Sequence, residues 1–131
     1  NINMISTIND LITRLNNGLD RKLTTILVLN SKKTKLILKF LCEHGLIYNF
    51  IVLNKKYCKV FLKYNKISLP FCKFKVISKP SWQKYYKFNL IKKLFSKYFL
   101  ICISTNIGLI DFNIANIKKL GGELLFIIEK R

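Results

Sequence analysis

An apolar run, Tyr98-Phe99-Leu100-Ile101-Cys102-Ile103, breaks into Ser104-Thr105-Asn106-Ile107-Gly108-Leu109-Ile110-Asp111, and after nine intervening residues the chain reads Gly121-Gly122-Glu123. This passage leaves little choice of local fold. The run is short, aromatic and β-branched, which predicts a buried strand. Three small hydrogen-bonding side chains and a glycine then turn the chain sharply. Asp111 is placed to cap a helix over 112–120, and Gly121-Gly122 to stop it. Leu124 to Glu129 predicts the next strand. A Ser/Thr/Asn loop on a rigid strand end holds donors and acceptors close to the backbone. Such a loop can follow the sugars and base edges of an RNA minor groove, or serve as an ordinary polar turn.

Charge separates these uses. The 131-residue chain carries a formal net charge of +18. Between His44 and Ile110 there is no Asp or Glu, yet thirteen lysines fall there. Lysines without acids nearby in sequence repel one another, and phosphate is their natural counter-charge. An A+T-rich coding sequence also inflates lysine, and 21 Lys against three Arg with one alanine fits that origin. Such drift accounts for Lys over Arg but less well for the missing acids, so RNA binding is the larger cause. Half the residues are hydrophobic, which excludes a wholly disordered basic tail.

Other chemistries find little support. Cys42, Cys58, Cys72 and Cys102 show no closely spaced pairs, so no metal site is expected, and each reads as a small buried hydrophobe. His44 is the only histidine and stands at an expected helix end, where capping explains it. No acid pair suggests proton transfer, and Ser104 lacks a Gly-x-Ser-x-Gly setting. No catalytic residue, cofactor or small-molecule substrate is expected. No apolar stretch reaches the ~18 residues that cross a bilayer.

Along the chain, Ile8, Leu11, Ile12 and Leu15 form one face of a helix capped by Ser6 or Thr7 and ended at Gly18. Leu23 to Leu29 predicts a strand. Ser31 caps a second helix whose buried stripe is Leu36, Ile37, Phe40 and Leu41, with Gly45 as its stop. Leu46–Leu53 and Tyr57–Tyr64 predict an antiparallel pair, with Cys58, Val60 and Leu62 alternating against Lys59, Phe61 and Lys63. The Phe61 side faces either a second core or RNA. Residues 65–70 are the expected linker. Beyond it come strands at 71–77 and Tyr85-Tyr86 and a short helix at 90–95. The fold class is α+β, with an α/β half at 1–66 and a β-rich half at 67–131.

The pattern strand–Ser-Thr-x-x-Gly-x-x-Asp–helix–Gly-Gly-Glu–strand resembles the end of the small-subunit ribosomal protein S8 family. Asn9-Asp10-Leu11-Ile12-Thr13-Arg14-Leu15-Asn16-Asn17-Gly18 is similar to that family's N-terminal helix. Ser31-Lys32-Lys33-Thr34-Lys35 with Leu41-Cys42-Glu43-His44-Gly45-Leu46-Ile47 resembles its second helix and exit, and Ser78-Lys79-Pro80 its Ser-Lys-Pro element. Three positions depart: Asn106 stands for a Ser, Ser81 for a Gly and Asn16 for an Arg.

The resemblance implies a two-domain fold without enzymatic activity. It also implies binding to the central domain of small-subunit rRNA, with a place in subunit assembly beside neighbouring ribosomal proteins. The RNA contacts it implies are Ser104, Thr105, Asn106, Gly108, Gly122 and Glu123 in the C-terminal half, with Lys79, Pro80 and Lys84. Tyr85 matches the family's RNA-facing tyrosine by spacing, and Tyr86 matches it if one residue is inserted. In the N-terminal half, Thr13, Arg14, Asn17, Ser31 and Lys32 carry over as a second contact. No secretory or transit pattern is visible at the N-terminus. With the A+T-rich signature this suggests a mitochondrial protein, a plastid or bacterial cytoplasm being the other settings. The alternative function is an RNA-processing or ribosome-maturation factor using the same basic surface. A membrane-surface role is weaker still.

Overall fold

The structure, a computed structural model, describes residues 2–63, 72–77, 85–95 and 100–130. The linker expected at 65–70, and Lys79, Pro80 and Lys84 with Trp82, lie outside the described residues.

The fold is α+β, built on two antiparallel sheets. Helix α1 (Ile2–Asp20) precedes β1 (Thr25–Leu29), and α2 (Lys32–Glu43) precedes the hairpin β2 (Ile47–Val52) and β3 (Tyr57–Leu62). These strands pair in the order β1-β3-β2. Asn54 closes the hairpin, its side-chain oxygen accepting from the N–H groups of Lys56 and Tyr57. Strands β4 (Cys72–Val76), β5 (Tyr85–Tyr86), β6 (Leu100–Thr105), β7 (Gly108–Ile110) and β8 (Gly122–Lys130) form the second sheet, with α3 (Phe88–Phe95) and α4 (Phe112–Lys118) between strands. Its order is β4-β8-β6-β7, with β5 also paired to β8.

The helix boundaries differ from the sequence expectation in instructive ways. Helix α1 runs through Ser6 and Thr7 rather than being capped by them, and it passes Gly18 to end at Asp20. Gly18 is there for contact: a Cβ on it would meet Ile26 Cγ2 at 2.6 Å. The helix exits instead through Lys22 at φ +55°, with Leu23 N–H donating to Gly18 O at 2.9 Å. Helix α4 leaves in the same way through Lys119, also at φ +55°, with Leu120 N–H donating to Ala115 O. Only α2 uses the expected glycine, Gly45 at φ +71°. Ser31 caps α2 as expected, its hydroxyl accepting from Thr34 N–H at 3.0 Å. The buried stripe of α2 is Ile37, Leu38, Phe40 and Leu41, while Leu36 is 47% exposed. It was expected inside because it begins an unbroken apolar triplet, and periodicity alone cannot say which member turns outward.

Two apolar clusters flank the second sheet. Ile8, Leu11, Leu15, Ile37, Leu41 and Val60 pack with Phe74, Cys102, Leu125, Phe126 and Ile128, so one core spans both sheets. Phe40 meets Phe126 edge to face at 6.4 Å between ring centroids. On the other face Phe88, Ile91, Ala115 and Ile110 pack on Ile101, Ile103, Leu124 and Ile127. A bulge between Cys102 and Ile103 in the β6–β8 ladder lets Leu125 join Phe126 in the first cluster. Two polar links reinforce the join. Asn16 Nδ2 donates to Phe74 O at 2.9 Å and its Oδ1 accepts from Phe74 N–H at 3.1 Å, pairing like a strand with the edge of β4. His44 lies 2.8 Å from Phe40 O through Nδ1 and 2.8 Å from Asp111 Oδ2 through Nε2.

Candidate nucleic-acid interface

Strands β6 and β7 form a tight hairpin in which Ser104 faces Leu109 and Thr105 faces Gly108. Thr105 supports the turn itself: its hydroxyl donates to Gly108 O at 2.9 Å and accepts from Ile107 N–H at 3.3 Å. Asn106, Ile107 and Gly108 are exposed at the tip. Gly108 has φ +114°, outside the range open to L side chains, and no atom lies within 4 Å of where a Cβ would stand. A partner can therefore reach the Gly108 backbone unobstructed.

Ladder registry carries the site across the sheet. Glu123 pairs with Ser104 on one side and Tyr85 on the other, so Tyr85, Glu123, Ser104 and Leu109 form one cross-strand row. Tyr85 is 67% exposed, whereas Tyr86 points the other way and packs on the second cluster. Glu123 is 5% exposed, and its Oε2 has no hydrogen-bond partner among the described residues. A buried carboxylate oxygen left so is costly and asks for a donor.

The glycine pair explains how the strands come so close. A Cβ on Gly122 would stand 2.3 Å from Ser104 O, and one on Gly121 would stand 2.4 Å from Tyr86 O. Both contacts are with backbone, which cannot swing aside. The pair was expected to stop α4; the exit through Lys119 does that, and the glycines serve strand approach.

A cleft of about 220 Å³ separates the hairpin from α2, lined by Lys33, Lys39, Phe40 and Glu43 on one wall and Ser104, Gly108 and Leu109 on the other. The first turn of α2 holds no acid, so Lys32 and Lys33 stand at the positive end of the helix dipole with no carboxylate of that turn to offset them. Asp111 helps fix this geometry. Its Oδ1 caps α4 by accepting from Ile114 N–H at 2.9 Å, while Oδ2 holds His44 at the end of α2. The cleft walls are thereby tied together.

The model of the ribosomal protein S8 family matches residues 6–128. The chain belongs to the ribosomal protein S8 family. No curated protein matches the chain. As an S8 protein it is a structural component of the ribosome that binds ribosomal RNA and other ribosomal proteins, and not an enzyme.

The remaining candidates of this S8 chain sit on the N-terminal half. Thr13 and Asn17 are exposed one turn apart on α1. Arg14 is engaged within the protein, donating through Nε to Asp10 Oδ2 and through Nη1 to Leu27 O, each at 3.0 Å. Ser31 is likewise used internally as the cap of α2, with its hydroxyl also donating to Thr34 Oγ1 at 2.9 Å, and Lys32 is exposed beside it. Lys39 was missed by sequence reasoning. Its signal was present, since it lies two helical turns beyond Lys32, but the cleft that gives it meaning is built by residues far along the chain. Burial pushes the Cys102 thiol well above its ordinary range, with nearby Lys33 pulling weakly the other way. Cys42 is raised too, by burial first and then by Glu43. These thiols behave as apolar packing groups. Among the described residues no cluster of His, Cys, Asp and Glu could hold a metal ion, and no helix is long and apolar enough to cross a membrane.

Proposed function

We propose that this S8 protein binds the central domain of small-subunit rRNA through the Tyr85–Glu123–Ser104 row and its hairpin, and that it supports folding of that RNA during subunit assembly. The unpartnered Oε2 of Glu123 carries the reading. A buried acceptor at a strand end, beside an exposed tyrosine and a small-residue hairpin, suits a base amino group or a ribose 2′-hydroxyl. Tyr85, the more exposed of the two tyrosines, is the one that suits stacking against a base. Lys33 and Lys39 flank the hairpin and suit the phosphates of the bound helix. The lysine-rich, alanine-poor composition supports synthesis in a mitochondrion, with small-subunit ribosomal proteins as neighbours.

The test is a filter-binding titration with a central-domain transcript. A double Ser104→Ala, Thr105→Ala change removes a hydroxyl offered to RNA and the hydroxyl that holds the hairpin turn, and weakens binding roughly ten- to hundred-fold, since neutral hydrogen bonds contribute ~0.5–1.5 kcal/mol each and ~1.4 kcal/mol is tenfold. The salt slope stays where it was, because no charge is lost. Binding equal to the parent would remove the hairpin from the interface.

A further inference from the structure

Among the described residues the first sheet is covered on one face only. Helices α1 and α2 bury Ile26, Val28, Cys58, Val60 and Leu62. The opposite face carries three cross-strand rows: Thr25, Phe61 and Asn49; then Leu27, Lys59 and Ile51; then Leu29 and Tyr57. Leu27 and Ile51 are 46% and 44% exposed. None of the six acidic residues lies in β1, β2 or β3. Aromatic rings and ammonium groups are interleaved here. Lys56 Nζ lies 5.3 Å from the Tyr57 ring centroid, Lys59 Nζ 5.5 Å from Phe61, and Lys63 Nζ 5.6 Å from Tyr48, which is 66% exposed at the β2 bulge.

We propose that this open face is a platform for unpaired nucleotides, with bases stacked on Tyr57 and Phe61 and phosphates held by Lys56, Lys59 and Lys63. Tyr57, Lys59 and Phe61 occupy alternate positions of the central strand β3. A rise of 3.3–3.4 Å per residue puts the two rings about 13 Å apart, with the ammonium between them. A single strand that stacks one base on each ring has at least one further nucleotide between them, and its phosphates pass within reach of the ammonium. A duplex keeps its base faces stacked inside and cannot use the rings, so the ligand is single-stranded. A protein partner would have to strip water from three ammonium groups or bring acids to meet them, and this face supplies none. The lysines already sit by the rings as cation–π partners, and each needs only a side-chain rotation to reach a phosphate. The surface lies on the other sheet from the Ser104–Gly108 hairpin, so it stands or falls separately from the reading of that hairpin.

The experiment measures fluorescence anisotropy of labelled oligouridylate with the full chain, beside the central-domain transcript. Phe61→Leu and Tyr57→Leu each weaken oligouridylate binding about five- to 150-fold, the range that loss of one stacked base spans. A triple Lys56→Gln, Lys59→Gln, Lys63→Gln change flattens the salt slope by about 2, at about 0.7 per phosphate on a single strand. Ser104→Ala with Thr105→Ala leaves oligouridylate binding intact. Photocrosslinking of the unmutated protein to 4-thiouridine-containing RNA marks β3, which keeps the test independent of how the variants fold. Oligouridylate affinities within twofold of the parent for both ring variants would overturn the proposal. So would crosslinks confined to 104–108. Self-association, or capture of another ribosomal protein, that is lost in the ring variants while oligouridylate binding persists would also overturn it, assigning the face to a protein.

Discussion

Replacing Asn16 tests the join between the two sheets most directly. Its amide makes two bonds with one peptide unit of β4, Nδ2 to Phe74 O and Oδ1 from Phe74 N–H, across 58 residues of chain. Asn16→Ala removes both, about 1–3 kcal/mol at ~0.5–1.5 kcal/mol per neutral bond. Phe74 itself is 4% exposed, so its peptide groups are left poorly hydrated, and the total rises to roughly 2–4 kcal/mol. With a urea m-value of about 2 kcal/mol/M, the unfolding midpoint falls by roughly 1–2 M. Asn16→Asp is the sharper probe. It keeps an acceptor for Phe74 N–H but turns the donor into a carboxylate oxygen facing Phe74 O. Protonation restores a donor, so the introduced carboxyl titrates higher in the folded than in the unfolded chain. The folded state then binds more protons, and stability relative to the parent is regained as pH falls through that raised pKa. Urea titrations at neutral pH and near pH 4 measure this. If Asn16→Ala stays within about 0.5 kcal/mol of the parent, or Asn16→Asp tracks it at both pH values, the clamp has no energetic weight.

Two further outcomes concern glycine geometry. Gly122→Ala drives a Cβ to 2.3 Å from Ser104 O and lowers stability by about 1–3 kcal/mol, a fall of roughly 3–15 °C in Tm by calorimetry. An unchanged Tm would mean that β6 and β8 separate freely. Lys22→Gly and Lys119→Gly relieve left-handed lysines at φ +55°, and each raises stability by up to about 1.5 kcal/mol: a strain of ~1–2 kcal/mol is lifted against ~0.5–1 kcal/mol of added chain entropy. Destabilisation in denaturant melts would show that these lysines contribute contacts worth more than their strain.

Local chemistry was legible in the sequence; distant pairing was not. Alternation in β3 announced Cys58, Val60 and Leu62 as buried, because that strand has one covered face. Asp111 and Ser31 capped where a small oxygen-bearing side chain met an apolar period. Glycine was the misleading signal. Gly18 and Gly121-Gly122 read as helix stops, yet each stands where another segment passes too close for a Cβ. Such a need arises only in the assembled fold, and so does the use of Lys22 and Lys119 for the turns that glycine was expected to make. The site motif was visible as a string, Ser104 to Glu123. Its order in space was not, because the row Tyr85–Glu123–Ser104 depends on β8 lying between β5 and β6. Lys39 and His44 gained meaning only once α2 met the hairpin and Asp111, 67 residues beyond His44.

Strand β8 follows the other described strands in the chain, and its five consecutive buried apolar residues, Leu124 to Ile128, are divided between both apolar clusters. During synthesis, then, neither cluster can close until these residues have left the exit tunnel. The residues before Leu124 emerge with helices and a hairpin that can form locally, but with Phe40 and Phe74 facing a gap where Phe126 belongs. A nascent chain stalled before Leu124 would expose apolar surface and lysines together, the combination that recruits holding chaperones or binds RNA nonspecifically. Arrival of one nine-residue strand then closes both cores and sets Glu123 beside Ser104, so that folding and the making of the Tyr85–Glu123–Ser104 row are one event in time.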